Sequence, residues 1–294
     1  MKKPPAILGK IAESTIKRVA KAKEALSYKQ ICEKVHILNN KPRSTQSYTE
    51  EEKVILSVTP NPFVSSVVKK LPFVSTLSSP GLSFICEVKK ASPSKGIISE
   101  DFPWMQIAKE YEEGGAAAIS VLTEPEFFLG SDQYLREISA AVKIPTLRKD
   151  FIIDPYQLYE AKLWGAGAAL LICALLDQQT LSEFLAIADS LELDCLVEIH
   201  SEEESEEALA AGARIIGINN RDLTTFNVDT DLSSKLRKKI PTGIITVAES
   251  GINCADDIRK IKDSGVDAVL IGESLMRVSD RKQFLQELLK ATQL

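Results

Sequence analysis

The chain has 294 residues, with 36 Lys plus Arg against 41 Asp plus Glu and a formal net charge of −5. That balance argues against a broad nucleic-acid-binding surface, which needs clustered Lys and Arg in excess. With 44% hydrophobic and 26% charged residues, the composition is that of a soluble globular protein and excludes disorder over most of the length. Such a length holds either one (β/α) barrel of roughly 250 residues with an extension, or two domains of about 150.

No apolar run reaches about 18 residues, so no membrane-crossing helix is expected, and MKKPPAILGK lacks the apolar segment of a secretory signal. The five cysteines (Cys32, Cys86, Cys173, Cys195, Cys254) are widely spaced and form no C-x-x-C pair, which reads as a reduced, cytoplasmic protein. The two histidines, His36 and His200, cannot build a zinc site unaided, so no metal is expected.

In chain order, residues 7–28 place Ile11, Ile16, Val19 and Leu26 at approximate helical spacing among many charges, which predicts an amphipathic helix. The polar stretch 38–53 reads as a loop, and a short helical piece is expected near 62–70. From Ser83 onward, short apolar runs alternate with amphipathic segments. Strands are predicted at 84–89, 117–123, 146–151, 168–175, 194–200, 214–220, 244–250 and 268–274, with helical patterns between them and a closing helix from Phe284.

Eight strands at about 27 residues per unit suit an eightfold α/β barrel. A weak internal repeat supports this: Gly115, Gly165, Gly212 and Gly265 each end a helical pattern before every second strand. The expected architecture is therefore a (β/α)8 TIM barrel over 81–294, preceded by an N-terminal helical extension over 1–80 packed on it. A doubly wound open sheet of eight strands is the structural rival. This division leaves no room for a further fused enzyme domain.

Barrels of this kind carry reactive groups at the C-terminal ends of their strands. Strand alternation projects Glu87 and Lys89 together into the mouth, and Lys149, Glu198, Asn219 with Arg221, and Glu249 with Ser250 end other strands. A lone charge at a strand end is commonly a solvated rim group, but Glu87, Lys89, Lys149, Glu198, Asn219, Arg221 and Glu249, from five strands on one rim, are hard to read as scattered surface charge. Ser250-Gly251 after the seventh strand, and Gly272 after the eighth with a short helix following, have the makings of an anion cradle for phosphate. His200 reads as a rim residue without a role. The acidic run 201–207 reads as a helix N-terminus whose carboxylates suit the macrodipole.

Seven segments in order, EVKKASPSKG (87–96), LTEPEFFLGS (122–131), LRKDFIIDPYQLYEA (147–161), LVEIH (196–200), IGINNRDL (216–223), VAESGI (247–252) and VLIGESLM (269–276), resemble indole-3-glycerol phosphate synthase. The leading ILGKIAESTIKRVAKAKEAL resembles that family's first helix, which is expected to lie over the barrel mouth. The resemblance covers nearly the whole chain and is weakest over 37–75. It implies conversion of 1-(2-carboxyphenylamino)-1-deoxyribulose 5-phosphate to indole-3-glycerol phosphate in tryptophan biosynthesis, a lyase reaction releasing carbon dioxide and water without a cofactor.

By the same resemblance, Lys149 acts as general acid on the substrate carbonyl. Lys89 neutralises the substrate carboxylate and joins the proton transfers, with Glu87 holding it. Glu198 is the acid/base partner in dehydration, Asn219 and Glu249 orient or stabilise intermediates, and Arg221 supports the carboxylate side. Ser92, Ser250, Gly251, Gly272 and Glu273 surround the phosphate.

The chemistry fits these types, because protonating the ketone oxygen removes an alkoxide from the ring-closing transition state. A lysine crowded by another lysine is expected to have its pKa lowered toward neutrality, and the rim is expected to be cationic. Glu273 is expected to turn its carboxylate away from the phosphate. The sequence leaves open which of Lys89 and Lys149 acts in each step. A small-molecule substrate is implied, with no nucleic acid and no membrane, and a monomer is compatible with the sequence. The rivals are a Schiff-base aldolase with Lys149 as nucleophile and a catalytically dead barrel serving as a binding module.

Overall fold

The computed structural model describes residues 6–40 and 73–292. The loop expected over 38–53 lies outside these residues except at 38–40, which continue a helix, and so does the helical piece expected near 62–70.

The apolar runs become strands β1 (Ser83–Val88), β4 (Ala118–Leu122), β5 (Thr146–Lys149), β6 (Ala168–Ile172), β7 (Asp194–Ile199), β8 (Ile215–Asn219), β9 (Ile245–Glu249) and β10 (Ala268–Ile271). All eight are parallel and buried along nearly their whole length on both faces, which is why they read as continuous apolar runs instead of alternating ones. Each pairs with its sequence neighbour, and β1 pairs at once with β4 (Cys86 opposite Ile119) and with β10 (Cys86 opposite Ile271). That double pairing closes the barrel and excludes the open sheet, which has two edges.

Between β1 and β4 the chain inserts a small antiparallel hairpin, β2 (Ala91–Ser92) with β3 (Gly96–Ile97), which the apolar pattern does not reveal. It spans only two residues a side, too few for any periodicity.

Outer helices separate the strands: α4 (Trp104–Gly114), α5 (Asp132–Ala141), α6 (Tyr156–Leu163), α7 (Gln178–Ser190), α8 (Glu202–Ala211), α9 (Asp231–Arg237), α10 (Ala255–Asp263), α11 (Glu273–Arg277) and α12 (Arg281–Ala291). Their ends follow from local chemistry. Asp177, Ser201 and Asp280 accept backbone N–H bonds as N-caps of α7, α8 and α12. The repeating glycines stop helices: Gly115 and Gly212 take φ of 102° and 96°, and the next residue donates back to a carbonyl five positions earlier, as from Ala116 to Tyr111. The glycine repeat is thus a set of left-handed helix ends feeding β4, β6, β8 and β10.

Before the barrel lie α1 (Ala6–Ala25), α2 (Tyr28–Asn40) and α3 (Phe73–Leu77). The single helix expected over 7–28 is broken at Leu26–Ser27. Ser27 and Gln30 exchange hydrogen bonds in the S-x-x-Q arrangement of a capping box, which starts α2 afresh. Of the four apolar positions expected on the buried face, Ile11, Val19 and Leu26 are buried, but Ile16 is 48% exposed. Leu8, Ala12 and Val35 join the barrel's own core, and Tyr156 donates its hydroxyl to the Leu26 and Ala22 carbonyls at the end of α1.

α1 is also tied down by charge. Arg18 makes a two-pronged pair with Asp150 at 2.9 and 2.7 Å, Lys23 reaches Asp154 at 2.6 Å, and Ser14 bonds Glu126. These three anchors lie on the loops after β4 and β5, so the helix is drawn across the C-terminal mouth of the barrel.

Candidate active site

The barrel mouth opens on a cavity of ≈ 590 Å³, large enough for a small organic ligand. All twelve residues singled out from the sequence line it, together with Ile7, Leu8 and Ile11 from α1. The barrel geometry explains the convergence. Inward side chains stack in layers of four drawn from alternate strands. Glu87, Lys149, Glu198 and Glu249 come one each from β1, β5, β7 and β9, which are alternate strands of the closed barrel. A layer ordinarily filled by branched aliphatics is here three carboxylates and a lysine.

Lys149 sits at the centre of that layer, its ammonium 3.2 Å from Glu198 Oε2 and 3.4 Å from Glu249 Oε2. Burial alone disfavours the ammonium, but the charges of Glu198, Glu249 and Glu87 outweigh it and hold the Lys149 pKa above the ordinary lysine range. The expectation of a lysine lowered toward neutrality is therefore overturned: carboxylates surround Lys149, and Lys89 is engaged elsewhere.

Lys89 pairs with Glu87 at 2.5 Å. Burial pushes the Glu87 carboxyl up, yet Lys89 and Lys149 bring it below its usual value. Burial likewise works against ionised Glu198, and Lys149, His200 and Asn219 outweigh it, so Glu198 also lies low.

Glu249 differs from the other two. Burial pushes it up, Lys149 only partly compensates, and repulsion from Glu198 and Glu87 adds to the rise, leaving it at about 7. Among the described residues, its Oε1 is buried without a hydrogen-bond partner. The group poised near neutrality in this cavity is a carboxyl.

Two glycines make room for this layer. A Cβ on Gly217 would stand 2.2 Å from Glu249 Oε1, and one on Gly272 would stand 2.5 Å from Glu87 Oε1 and 3.1 Å from Lys89 Nζ. Gly272 has a negative φ of −127°, and the nearest atoms a new Cβ would meet belong to Glu87 and Lys89, so the expected effect of Gly272→Ala falls on that pair. We expect kcat/KM lower by about 10²-fold with a nearly unchanged melting temperature, read by steady-state kinetics and thermal unfolding.

The loops after β8 and β9 are locked to each other. Asn219 Oδ1 accepts from the Ser250 hydroxyl at 2.8 Å and from the Arg221 N–H at 3.1 Å, and the Asn220 amide donates to the Ser250 carbonyl at 3.1 Å. Ser250 is thereby held at φ 67°, a strained value for a residue with a Cβ. Gly251 follows at φ 83°, where a Cβ would fall 2.7 Å from Val228 and 2.8 Å from Thr230. Ser92 stands on the β2–β3 hairpin on the cavity wall.

Glu273 does not leave the cavity lining. Its carboxylate accepts from Arg277 at 3.2 Å and lies 3.8 Å from Lys95 and 3.9 Å from Arg221, spanning two loops. Nor is the cavity lining cationic overall: Lys89, Lys95, Lys149 and Arg221 face Glu87, Asp150, Glu198, Glu249 and Glu273.

Sequence patterning missed several contributors. Asp150 points to the opposite face from Lys149 and receives both Arg18 and buried Arg148. The buried Glu124 carboxylate accepts the backbone N–H groups of Glu126, Phe127 and Phe128, shaping the loop that carries Phe128 to the cavity. His200, read as a rim residue, is half-buried behind Glu198, its Nε2 3.5 Å from Glu198 Oε1. The signal for the first two was present: a carboxylate directly following a strand-end lysine, and one preceding a Pro-x-aromatic turn.

The profile of the indole-3-glycerol phosphate synthase family matches residues 61–288. The chain belongs to the indole-3-glycerol phosphate synthase family. Relatives of that name include one from Ruminiclostridium cellulolyticum, 59% identical over 74% of this chain and 84% of its own length. Another, from Endomicrobium trichonymphae, is 51% identical over 96% of this chain and 99% of its own. A thiamine phosphate pyrophosphorylase from Pyrococcus furiosus is similar in fold alone, with a TM-score of 0.56 at 20% identity over 72% of this chain and 95% of that one. In this synthase-family chain, the alternate-strand layer is assembled from the very segments that carry the family resemblance, KKASPSKG excepted in its hairpin.

Proposed function

We propose that this cavity closes the indole ring of 1-(2-carboxyphenylamino)-1-deoxyribulose 5-phosphate, releasing carbon dioxide and water, with Lys149 supplying the proton for ring closure. Family membership makes the chain a carboxy-lyase of tryptophan biosynthesis acting on a small molecule. One observation carries the assignment: a buried ammonium lies 3.2 and 3.4 Å from two carboxylates, across from a separate Lys89–Glu87 pair.

In ring closure, the aryl carbon bearing the carboxylate bonds to the ketone carbon, and the ketone oxygen takes the Lys149 proton. Loss of carbon dioxide from that aryl carbon returns its electron pair to the ring. Dehydration then expels the former ketone oxygen as water, with a proton delivered to it and one removed from the adjacent CH2 group. Glu198 serves as acid and base there.

A raised pKa makes Lys149 a fully loaded but intrinsically weak acid, so much of its effect is electrostatic, aimed at the developing alkoxide. The proton held by Glu249 at about neutral pH returns to Lys149 across their 3.4 Å contact. Lys89 faces the substrate carboxylate with Glu87 behind it, Arg221 supports that side, and Asn219 orients the intermediates. Backbone N–H groups at Ser250, Gly251, Gly272 and Glu273, with the Ser92 hydroxyl, hold the phosphate.

The reading needs no cofactor, nucleic acid or membrane. We infer a cytoplasmic enzyme that acts as a monomer. Among the described residues, no helix is long and apolar enough to cross a membrane. An aldolase would need a neutral Lys149 amine as nucleophile, which the surrounding carboxylates oppose.

The test is a fluorescence assay for the indole product with the purified chain and that substrate. Glu198→Gln, isosteric and unable to exchange protons, is expected to lower kcat by about 10²-fold or more. Turnover near the wild-type rate would remove Glu198 from the dehydration step.

A further inference from the structure

His200 is the first residue beyond β7, two positions after Glu198, and its side chain is 15% exposed. What holds it there is the start of α8. Ser201 accepts the Glu204 N–H as N-cap, and the Glu204 carboxylate reaches back to the His200 backbone N–H at 2.7 Å, a close variant of the capping box. The same carboxylate lies 3.4 Å from His200 Nδ1, while Nε2 faces Glu198 Oε1 at 3.5 Å. The ring is clamped between an acid of the helix start and an acid of the reacting layer.

Neither ring nitrogen makes a well-aligned hydrogen bond among the described residues. What the ring supplies is position and, when protonated, charge. Glu198 has two oxygens with different neighbours: Oε2 meets Lys149, and Oε1 meets the imidazole. Without His200, Oε1 would lose the imidazole beside it, and the carboxylate would be held by Lys149 and Asn219 alone.

We infer that His200 is a positioning residue for the reaction proposed above: clamped by Glu204, it holds the Glu198 carboxylate with one oxygen toward Lys149 and supplies a second cation to the Glu198–Glu249 pair. This rests on the assignment of Glu198 as acid and base. Burial disfavours the imidazolium, but Glu204, Glu198 and Glu249 outweigh it, so the ring keeps its proton to higher pH than an ordinary histidine. The charged groups facing it are Glu198 on β7, Glu204 on α8, Glu249 on β9 and Asp222 in the loop after β8, with Lys149 beyond Glu198.

The direction of the consequence is fixed by charge. Removing a cation beside two carboxylates raises their affinity for a proton. His200→Gln and His200→Asn keep polar bulk without the charge. Each is expected to lower kcat several-fold at pH 7 with KM little changed, and to move the ionisation near neutrality in the kcat–pH profile upward by about one unit. Both variants are measured beside Glu198→Gln, with thermal melting to establish that each is folded.

An inactive Glu198→Gln with shifted His200 profiles supports the assignment. An inactive Glu198→Gln with either folded His200 variant superimposing on the wild-type profile overturns it and leaves His200 a structural residue. An active Glu198→Gln removes the reading of Glu198 itself, a distinct outcome.

Discussion

Lys149→Ala is expected to leave a folded barrel whose kcat is lower by about 10²–10⁴-fold, the range for losing a positioned acid. The proton donor and the local ammonium vanish together, and no other ammonium takes their place, because Lys89 is held by Glu87 at 2.5 Å and His200 stands at the other oxygen of Glu198. Folding survives because the layer can neutralise itself. Glu249, already pushed up to about 7, takes a proton and bridges to Glu198 as a shared acid pair.

The pH dependence of stability follows from the same groups. Lys149 has a raised pKa, so its favourable contribution is fully present below the ordinary lysine pKa and fades only as pH rises through its native value. Glu249 is a carboxyl raised above its usual value, so the folded state binds its proton more tightly than the unfolded chain. Its effect is that stability falls as pH rises from about 4.5 through 7. In the variant that fall is expected to steepen, since no ammonium remains to offset two ionised carboxylates. Melting curves between pH 5 and 8 together with single-turnover kinetics read both effects. A Lys149→Ala enzyme turning over near the wild-type rate would mean the proton comes from elsewhere, with Lys89 the next candidate.

The barrel was legible because its strands are buried on both faces and therefore stand out as apolar runs, and because left-handed glycines mark the helix ends. Glu87, Lys149, Glu198 and Glu249 were legible because charges at the ends of apolar strands break the pattern. What escaped depended on tertiary context. The break between α1 and α2 is written in Ser27 and Gln30, yet the helical spacing on either side runs on and masks it. His200 looks like any polar residue after a strand until α8 folds back over it. The Lys149 shift could not be read from chain order, since its sign depends on which charges lie within 4 Å of the ammonium, and those come from β7 and β9.

Asp150→Ala is expected to be the most destabilising single change at the mouth. The carboxylate is 1% exposed and fully engaged: Oδ1 accepts from Arg18 at 2.7 Å and the Phe151 N–H at 2.8 Å, and Oδ2 accepts from Thr123 at 2.6 Å, Arg18 at 2.9 Å and Arg148 at 3.0 Å. Burial pushes the group up, but Arg18 and Arg148 hold it well below the usual carboxylate range. Its loss leaves Arg148 buried against Trp164 with Glu160 as its remaining acid, and it frees α1 from its strongest anchor.

Breaking a buried charge network by removing one partner costs roughly 3–5 kcal/mol, equivalent to a melting temperature lower by about 6–20 °C. Because the native pKa is depressed, the stabilisation is present above the ordinary aspartate value near 4 and is lost as pH falls through the native one. The gap between wild type and variant is therefore expected to be constant from about pH 5 upward and to narrow below about pH 4. KM is expected to rise as well, since Ile7, Leu8 and Ile11 form one wall of the cavity. Arg18→Met separates the two effects: it unfastens α1 while leaving the Arg148–Asp150 pair in place, and should raise KM at a smaller loss of stability. An Asp150→Ala protein melting within about 2 °C of wild type would show that the hydrophobic contacts of α1, and not this carboxylate, hold the helix across the mouth.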